Sequence, residues 1–357
     1  MSHRAASTRP LAVTVGDPAG IGPDVCLAAW CKAASALSSG VPVLSAFAVI
    51  SCPAMLAARA EALGLNIPIQ KISALQDAPE VFPQALPVLA LTYPFPVEAG
   101  CPVPGNAAAI IMSIRLAVHA ISAGTASGLV TGPIAKHIVS SADFHHPGHT
   151  EFLGELAGTF FPDAPSSAPV MLMSSAELKV VPVTVHVPLE AVPRLLTRER
   201  LEATLLTVAN AMVRDFGVPR PRIAVAGLNP HAGEAGLLGS EERDVISPVV
   251  EALRARGLDV RGPLSADTMF HAQARATYDV AVTMYHDQGL IPIKTLAFDT
   301  GVNATVGLPF VRTSPDHGTA FELAGTGRAS AASFIEAVLL AQAMVENRAR
   351  CDGGPAP

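Results

Sequence analysis

The sequence predicts an α/β fold built around a mixed sheet, and three observations carry that expectation. The chain opens with an apolar run, a glycine-rich loop and an Ala/Leu-rich stretch, which is the strand, loop and helix that start an α/β unit. Short apolar runs then alternate with stretches of helical spacing over most of the length. Several strands crowd the middle of the chain, which favours a mixed sheet over a purely parallel one. Half of the 357 residues are apolar and 15% are charged, as in a well-buried protein. The length exceeds one simple core and suffices for two packed lobes.

The elements follow in order. Leu11–Val15 is a buried strand, and the loop Gly16-Asp17-Pro18-Ala19-Gly20-Ile21-Gly22-Pro23-Asp24 leads into a helix that runs to about Leu37. Val41–Ile50 is a second strand, with a helix over Ala54–Leu63. Pro83–Gly105 is proline-rich and reads as short strands and loops. Asn106–Ser122 has helical spacing, with Asn106 as candidate N-cap. Gly128–Thr131 is a buried strand, and Phe160–Pro169 is a surface loop. Val170–Met173 and Lys179–Val185 suit a hairpin around Ser174–Glu177. Arg198–Phe216 and Glu241–Arg256 are helices, Arg222–Ala226 and Tyr278–Met284 are strands, and Ser330–Val345 is a closing helix with a polar tail that frays from Asn347. There is no internal repeat and no low-complexity block.

Composition excludes several classes of function. Net charge is −6 without a dense Lys/Arg stripe, which argues against nucleic acid or an anionic membrane as partner. A local basic pocket for a small anion remains compatible with that balance. The five cysteines form no paired CxxC units and number an odd count, which suits reduced thiols in the cytoplasm. The N-terminal residues show no signal-peptide pattern, and no uninterrupted apolar stretch approaches the ~18 residues of a membrane span.

Three histidines stand at strand-to-loop edges. They lie in Val183-Thr184-Val185-His186-Val187-Pro188, Gly227-Leu228-Asn229-Pro230-His231-Ala232-Gly233-Glu234 and Thr283-Met284-Tyr285-His286-Asp287-Gln288-Gly289. One such histidine alone is most often a loop residue bonded to backbone. Three in one context are candidate metal ligands, because imidazoles from separate strands can converge on one ion. Asp267 and Asp287 sit at loop or strand ends and suit an orienting, ligating or general-base role, while Asp267 equally suits a helix N-cap. His149-Thr150-Glu151 can offer an anion its polar groups and helix N-terminal amides, or simply start a helix. Lys294, Asn303 and Arg312 punctuate a largely apolar stretch and suit a phosphate or carboxylate, or else solvated loops.

Other motifs say less. Gly16–Gly22 is neither GxGxxG nor followed by a Walker lysine, which disfavours an ordinary Rossmann or P-loop site. Asp316-His317-Gly318-Thr319 to Gly327 is a small-residue loop able to wrap an adenosine. Neither a GxSxG elbow nor an HExxH helix is present, and cysteine-nucleophile chemistry has no support.

These residues resemble the 4-hydroxythreonine-4-phosphate dehydrogenase (PdxA) family of pyridoxal phosphate, or vitamin B6, biosynthesis. The likeness runs from Gly16-Asp17-Pro18-Ala19-Gly20-Ile21-Gly22-Pro23 to about Ala341. It is most specific at Gly148-His149-Thr150-Glu151-Phe152, Gly227–Glu234, Tyr285–Leu290 and Gly307-Leu308-Pro309-Phe310-Val311-Arg312-Thr313-Ser314. The resemblance implies an isocitrate/isopropylmalate dehydrogenase-like fold: two α/β/α lobes with mixed sheets, an interlobe cleft and a homodimer sharing its active sites. The lobes would be 1–130 plus 305–357 on the cofactor side, and 131–304 for metal, substrate and dimerisation. It implies a divalent metal (zinc, magnesium, manganese or cobalt) on His186, His231 and His286, one of them from the other subunit. It places substrate on His149, Thr150, Lys294, Asn303 and Arg312, with Asp267, Asp287 and Lys294 near the reacting hydroxyl. NAD or NADP would meet His317, Gly318, Thr319 and Gly325, although the loop departs after Ala320 from the usual His-Gly-Ser-Ala-Pro-Asp run.

The implied reaction oxidises 4-phosphooxy-L-threonine to 2-amino-3-oxo-4-phosphooxybutanoate, a β-keto acid that decarboxylates to 3-amino-2-oxopropyl phosphate. Two alternatives stand beside it. One is a sister dehydrogenase for a phosphorylated D-threonate or erythronate, or for a cis-dihydrodiol dicarboxylate. The other is a metal-dependent hydrolase with a three-histidine site.

Overall fold

The structure, a computed structural model, describes residues 9–38, 44–142, 144, 146, 148–164 and 168–353. The chain forms two compact units, Met1–Ser166 with Leu308–Pro357, and Ser167–Gly307. The first unit opens with β1 (Leu11–Thr14), β2 (Phe47–Ser51), β3 (Ile69–Ile72), β4 (Leu86–Ala90) and β5 (Gly128–Thr131). The second holds β6 (Val170–Ser174), β7 (Lys179–Thr184), β8 (Ile223–Ala226), β9 (Val260–Leu264), β10 (Val280–Tyr285) and β11 (Val302–Val306). The chain returns to the first unit at β12 (Arg312–Pro315).

In the first unit the strand order is β3-β4-β2-β1-β5-β12, and every pairing is parallel. The central strands β1 and β2 are fully buried, as strands covered on both faces must be. Alternation sorts the two faces. Ala12, Ala48, Ile50 and Leu129 lie on one face, in a core shared with Ile110, Ile114 and Ala117 of helix Ala107–Ser122. Thr313 pairs with Val130, hence on the opposite face, and its Oγ1 donates to Ala337 O of helix Ala332–Cys351 at 2.8 Å. Helices therefore cover both sides of this sheet.

The expected mixed sheet is found in the second unit. There the order is β11-β6-β7-β10-β8-β9, with β6 antiparallel to both β11 and β7, and β7, β10, β8 and β9 mutually parallel. The antiparallel step is the expected hairpin through Ser175–Leu178. Val180, Ala224 and Ala281 form one buried face against Leu290 and Ile293 of helix His286–Ala297.

Several local expectations change. Residues 131–166, placed in the second lobe from sequence, belong to the first unit, because Phe152, Leu153 and Leu156 of helix His149–Phe160 complete the core around Ile110 and Ile114. Residues 305–307 stay in the second unit, since β11 runs to Val306. Asn106 makes no capping bond from its side chain: its amide brackets Phe95 instead, accepting from Phe95 N at 3.0 Å and donating to Phe95 O at 3.2 Å. Glu242–Ile246 is a π-turn ahead of the α-helix Ser247–Ala255. The last helix continues to Cys351, because Arg348 is buried and donates to Leu308 O. The Val41–Ile50 strand and the Phe160–Pro169 loop lie partly outside the described residues. Pro104–Ser122 is long and apolar enough to cross a membrane, yet half of it is buried and it packs as a core helix.

Candidate active site

The three histidines follow three adjacent parallel strands of the second unit. His186 comes two residues after β7, His286 directly after β10, and His231 five residues after β8. All three thus stand at the carboxyl ends of neighbouring strands, where α/β sheets bind ligands. Tyr285 pairs with Thr184, and Thr184 Oγ1 donates to Met284 O at 2.8 Å, which locks the two strand ends together. The rings of His186 and His286 lie 5.6 Å apart between centroids. His286 Nδ1 is 2.7 Å from Asp287 Oδ1, a contact that orients the ring and leaves Nε2 for a ligand.

His231 is presented differently. It begins five consecutive residues with left-handed backbone, φ being 53° at His231, 51° at Ala232, 79° at Gly233, 42° at Glu234 and 57° at Ala235. Four of these are not glycine, so the conformation must be imposed from outside. Glu242, only 4% exposed, imposes it. Its carboxylate accepts from Asn229 N at 2.7 Å and from Asn229 Nδ2 at 3.0 Å. A Cβ at Gly233 would lie 2.6 Å from Glu242 Oε2, so a larger residue there would displace the carboxylate. The His231 ring is 68% exposed, with Glu234 Oε2 at 3.7 Å. Among the described residues no three His, Cys, Asp or Glu side chains of one chain come together as a metal cage. A single chain therefore offers an ion the His186–His286 pair, and the third imidazole stands apart on its own turn.

The other predicted residues of this unit fall around the same edge. Lys294 lies two turns along the helix from His286, and His286, Asp287, Leu290, Ile291, Lys294 and Thr295 line an open pocket of about 400 Å³. Asp267 is not the helix cap: Ser265 precedes that turn, and its hydroxyl donates to Asp267 Oδ1 at 2.6 Å. The Asp267 turn packs beside the His231 turn. Asn303 lies on β11 and is half-buried.

A second cluster occupies the first unit. Arg312, 3% exposed, donates from Nε and Nη2 to Thr131 Oγ1 at 3.2 and 2.6 Å. Burial lowers its pKa to about 10. His149 opens its helix behind Gly148, and burial, aided by the nearby Arg312 charge, pushes its pKa down to about 3. Its Nε2 is buried without a hydrogen-bond partner. A neutral imidazole beside a guanidinium, with helix amides at Thr150, suits an anion. Arg312 could not be placed beside Thr131 from sequence, since the strand register decides it.

The loop His317–Gly325 packs on the first glycine loop, with Ile21 N donating to Thr319 O at 2.9 Å. Burial is the main cause of the raised Asp17 pKa and of the lowered His317 pKa, and Asp17 Oδ2 and His317 Nε2 are buried without a partner. Sequence reading missed Glu242, Thr131 and Gln288 as supports. Gln288 accepts from Met284 N at 2.7 Å and donates to Gly227 O at 2.8 Å, tying two strand ends to the His286 helix. Its place within the Tyr285–Gly289 motif was the available signal.

The model of the family described as pyridoxal phosphate biosynthetic protein PdxA matches residues 44–341. A 4-hydroxythreonine-4-phosphate dehydrogenase of Methylorubrum populi is 52% identical over 347 residues, covering 97% of each chain. A crystal structure of 4-hydroxythreonine-4-phosphate dehydrogenase from Klebsiella pneumoniae superposes with a TM-score of 0.81 at 35% identity, covering 94% of this chain and 99% of that one. A terephthalate 1,2-cis-dihydrodiol dehydrogenase from Burkholderia xenovorans is more distant, with a TM-score of 0.60 at 25% identity and coverage of 94% and 98%. With the family model spanning residues 44–341 and a 52% identical relative matched over nearly the whole length, the chain belongs to the PdxA family of pyridoxal phosphate biosynthetic proteins.

Proposed function

We propose that the protein is an NAD- or NADP-dependent dehydrogenase of 4-phosphooxy-L-threonine in the pyridoxine 5′-phosphate pathway. The name of its 52% identical relative supports the substrate. The observation that carries the site is the His186–His286 pair at the carboxyl ends of β7 and β10, with His231 after the adjacent β8. These three would hold a divalent ion, one of them supplied by a second copy of the chain. Imidazole donors favour a transition ion such as zinc or cobalt, while a carboxylate such as Asp267 or Asp287 in the set would make magnesium or manganese more plausible. When bound, the ion would act as a Lewis acid toward the substrate hydroxyl, and the dinucleotide would accept hydride.

The chain's own residues supply the rest. Asp287 orients His286 through the 2.7 Å contact. Asp287, Asp267 or Lys294 takes the hydroxyl proton, directly or through water. Loss of that proton and of the C3 hydride leaves a β-keto acid, whose ketone accepts the electron pair when CO2 departs. Arg312, His149 and Thr150 bind one anionic end of the substrate, and Lys294 and Asn303 another. His317, Gly318, Thr319 and Gly325 receive the adenosine. On this reading the first unit is the cofactor side, and the second carries metal and dimer contacts. The protein works in the cytoplasm.

NADH formation from 4-phosphooxy-L-threonine and NAD, before and after chelation and metal add-back, tests this. Activity removed by chelator and restored by metal is the expected result. The dihydrodiol dehydrogenase likeness favours one second reading, a sister dehydrogenase. Turnover of a dihydrodiol dicarboxylate or phospho-D-threonate, with none of 4-phosphooxy-L-threonine, would move the assignment there. Turnover without any dinucleotide would point to a metal-dependent hydrolase.

A further inference from the structure

We infer that the buried Asp24–Arg59 ion pair is a positioning device that presets the His317–Gly325 loop for the adenosine half of the dinucleotide. This rests on the proposed reading of that loop. Asp24 and Arg59 are 4% and 5% exposed and pair directly. Neither is among the candidate site residues that the sequence offers: Asp24 lies in the first turn of helix Gly22–Ser38, and Arg59 is a cation of helix Pro53–Ala62.

Both partners also reach loops. Asp24 Oδ1 accepts from Gly325 N at 2.7 Å. Arg59 donates from Nη1 to Gly20 O and from Nη2 to Pro18 O, both at 3.1 Å. The pair thus fastens the far end of the adenosine-type loop, while Ile21 N fastens its near end at Thr319 O. The seats are close. A Cβ at Gly20 would lie 2.8 Å from Thr319 O, and one at Gly325, where φ is +71°, would lie 3.0 Å from Ala99 Cβ.

A buried ion pair is a poor device for stability alone, because desolvation offsets much of its attraction. Its value here is geometric, since one carboxylate and one guanidinium hold the first glycine loop and the Gly325 turn in a single register. The same two loops carry the buried, unpartnered Asp17 Oδ2 and His317 Nε2. Unsatisfied buried polar atoms call for a polar partner, so the register that the clamp sets is one that leaves these atoms for a ligand. Without the clamp, only a fraction of molecules would hold the loop in place, and apparent affinity falls by that fraction.

The test uses Arg59→Met, Arg59→Lys and Asp24→Asn, with NAD titrated calorimetrically and the KM for the phosphorylated substrate measured in parallel. If the competent fraction falls to about a tenth, the Kd for NAD rises about tenfold in Arg59→Met, while the substrate KM stays within about twofold. Arg59→Lys should recover part of the loss. Asp24→Asn removes the charge of the pair from the other side and keeps the test open where Arg59→Met does not fold. It should show the same split. Folded variants that bind NAD as the wild type does overturn the inference, as does an equal loss in NAD affinity, substrate KM and kcat, which marks a structural role only. A wild-type protein that binds NAD(P) in no form overturns the loop reading itself.

Discussion

Replacing Glu242 with Ala should free the His231 turn and weaken metal binding with little damage elsewhere. The turn holds four non-glycine residues at φ between 42° and 57°. At about 1–2 kcal/mol each, the left-handed conformation costs roughly 4–8 kcal/mol. Two hydrogen bonds accepted by a carboxylate contribute about 1.5–3 kcal/mol each, or roughly 3–6 kcal/mol. Glu242 alone therefore offsets most of the strain, and the backbone bonds Ala232 N to Asn229 O and Leu238 N to Gly233 O supply the rest. Once the carboxylate is gone, the turn relaxes and recovers its strain, so the two contributions nearly cancel and the Tm moves by no more than a few degrees. His231 loses its fixed direction, and loss of such supporting contacts typically costs about 10–100-fold in metal affinity. Co²⁺ titration followed by visible absorption reads the affinity, and limited proteolysis within residues 231–236 reads the release of the turn. A folded variant with wild-type Co²⁺ affinity and an uncut turn would refute the reasoning.

Three further outcomes are expected. His231→Ala should abolish turnover while moving the Tm little, because the ring is 68% exposed; near-wild-type activity would remove His231 from the site. Arg312→Ala should raise the substrate KM strongly with NAD affinity little changed, and an effect confined to NAD would show that this guanidinium serves the other pocket. His149, held down to about 3 from 6.5, binds fewer protons folded than unfolded between those values. Its contribution to stability is therefore intact above the ordinary histidine pKa and is lost as pH falls toward 3. His149→Gln should flatten the acid side of the urea-midpoint profile below pH 6.5, and an unchanged slope would contradict the assignment.

Much of the fold was legible because local rules govern it. Apolar runs marked β1, β5, β8 and β10, and the Ser174–Glu177 turn marked the β6–β7 hairpin. Where side chains found distant partners, local reading failed. Asn106 looked like a cap and instead brackets Phe95. Residues 131–166 looked like the second lobe and pack into the first, because Phe152 and Leu156 complete its core.

The site divides in the same way. The chain by itself determined which residues could do chemistry: three histidines at strand ends, two carboxylates beside them, and cations in an apolar stretch. Residue type and position relative to a strand end are local properties, visible in one dimension. Only the tertiary structure decided which of them meet. Strand order put β10 between β7 and β8 and brought His186 to His286 across a hundred residues. Register set Arg312 against Thr131, which lies 181 residues earlier in the chain. Glu242 and the Asp24–Arg59 pair carry no motif at all, because their roles consist of contacts with backbone atoms that folding alone brings within reach.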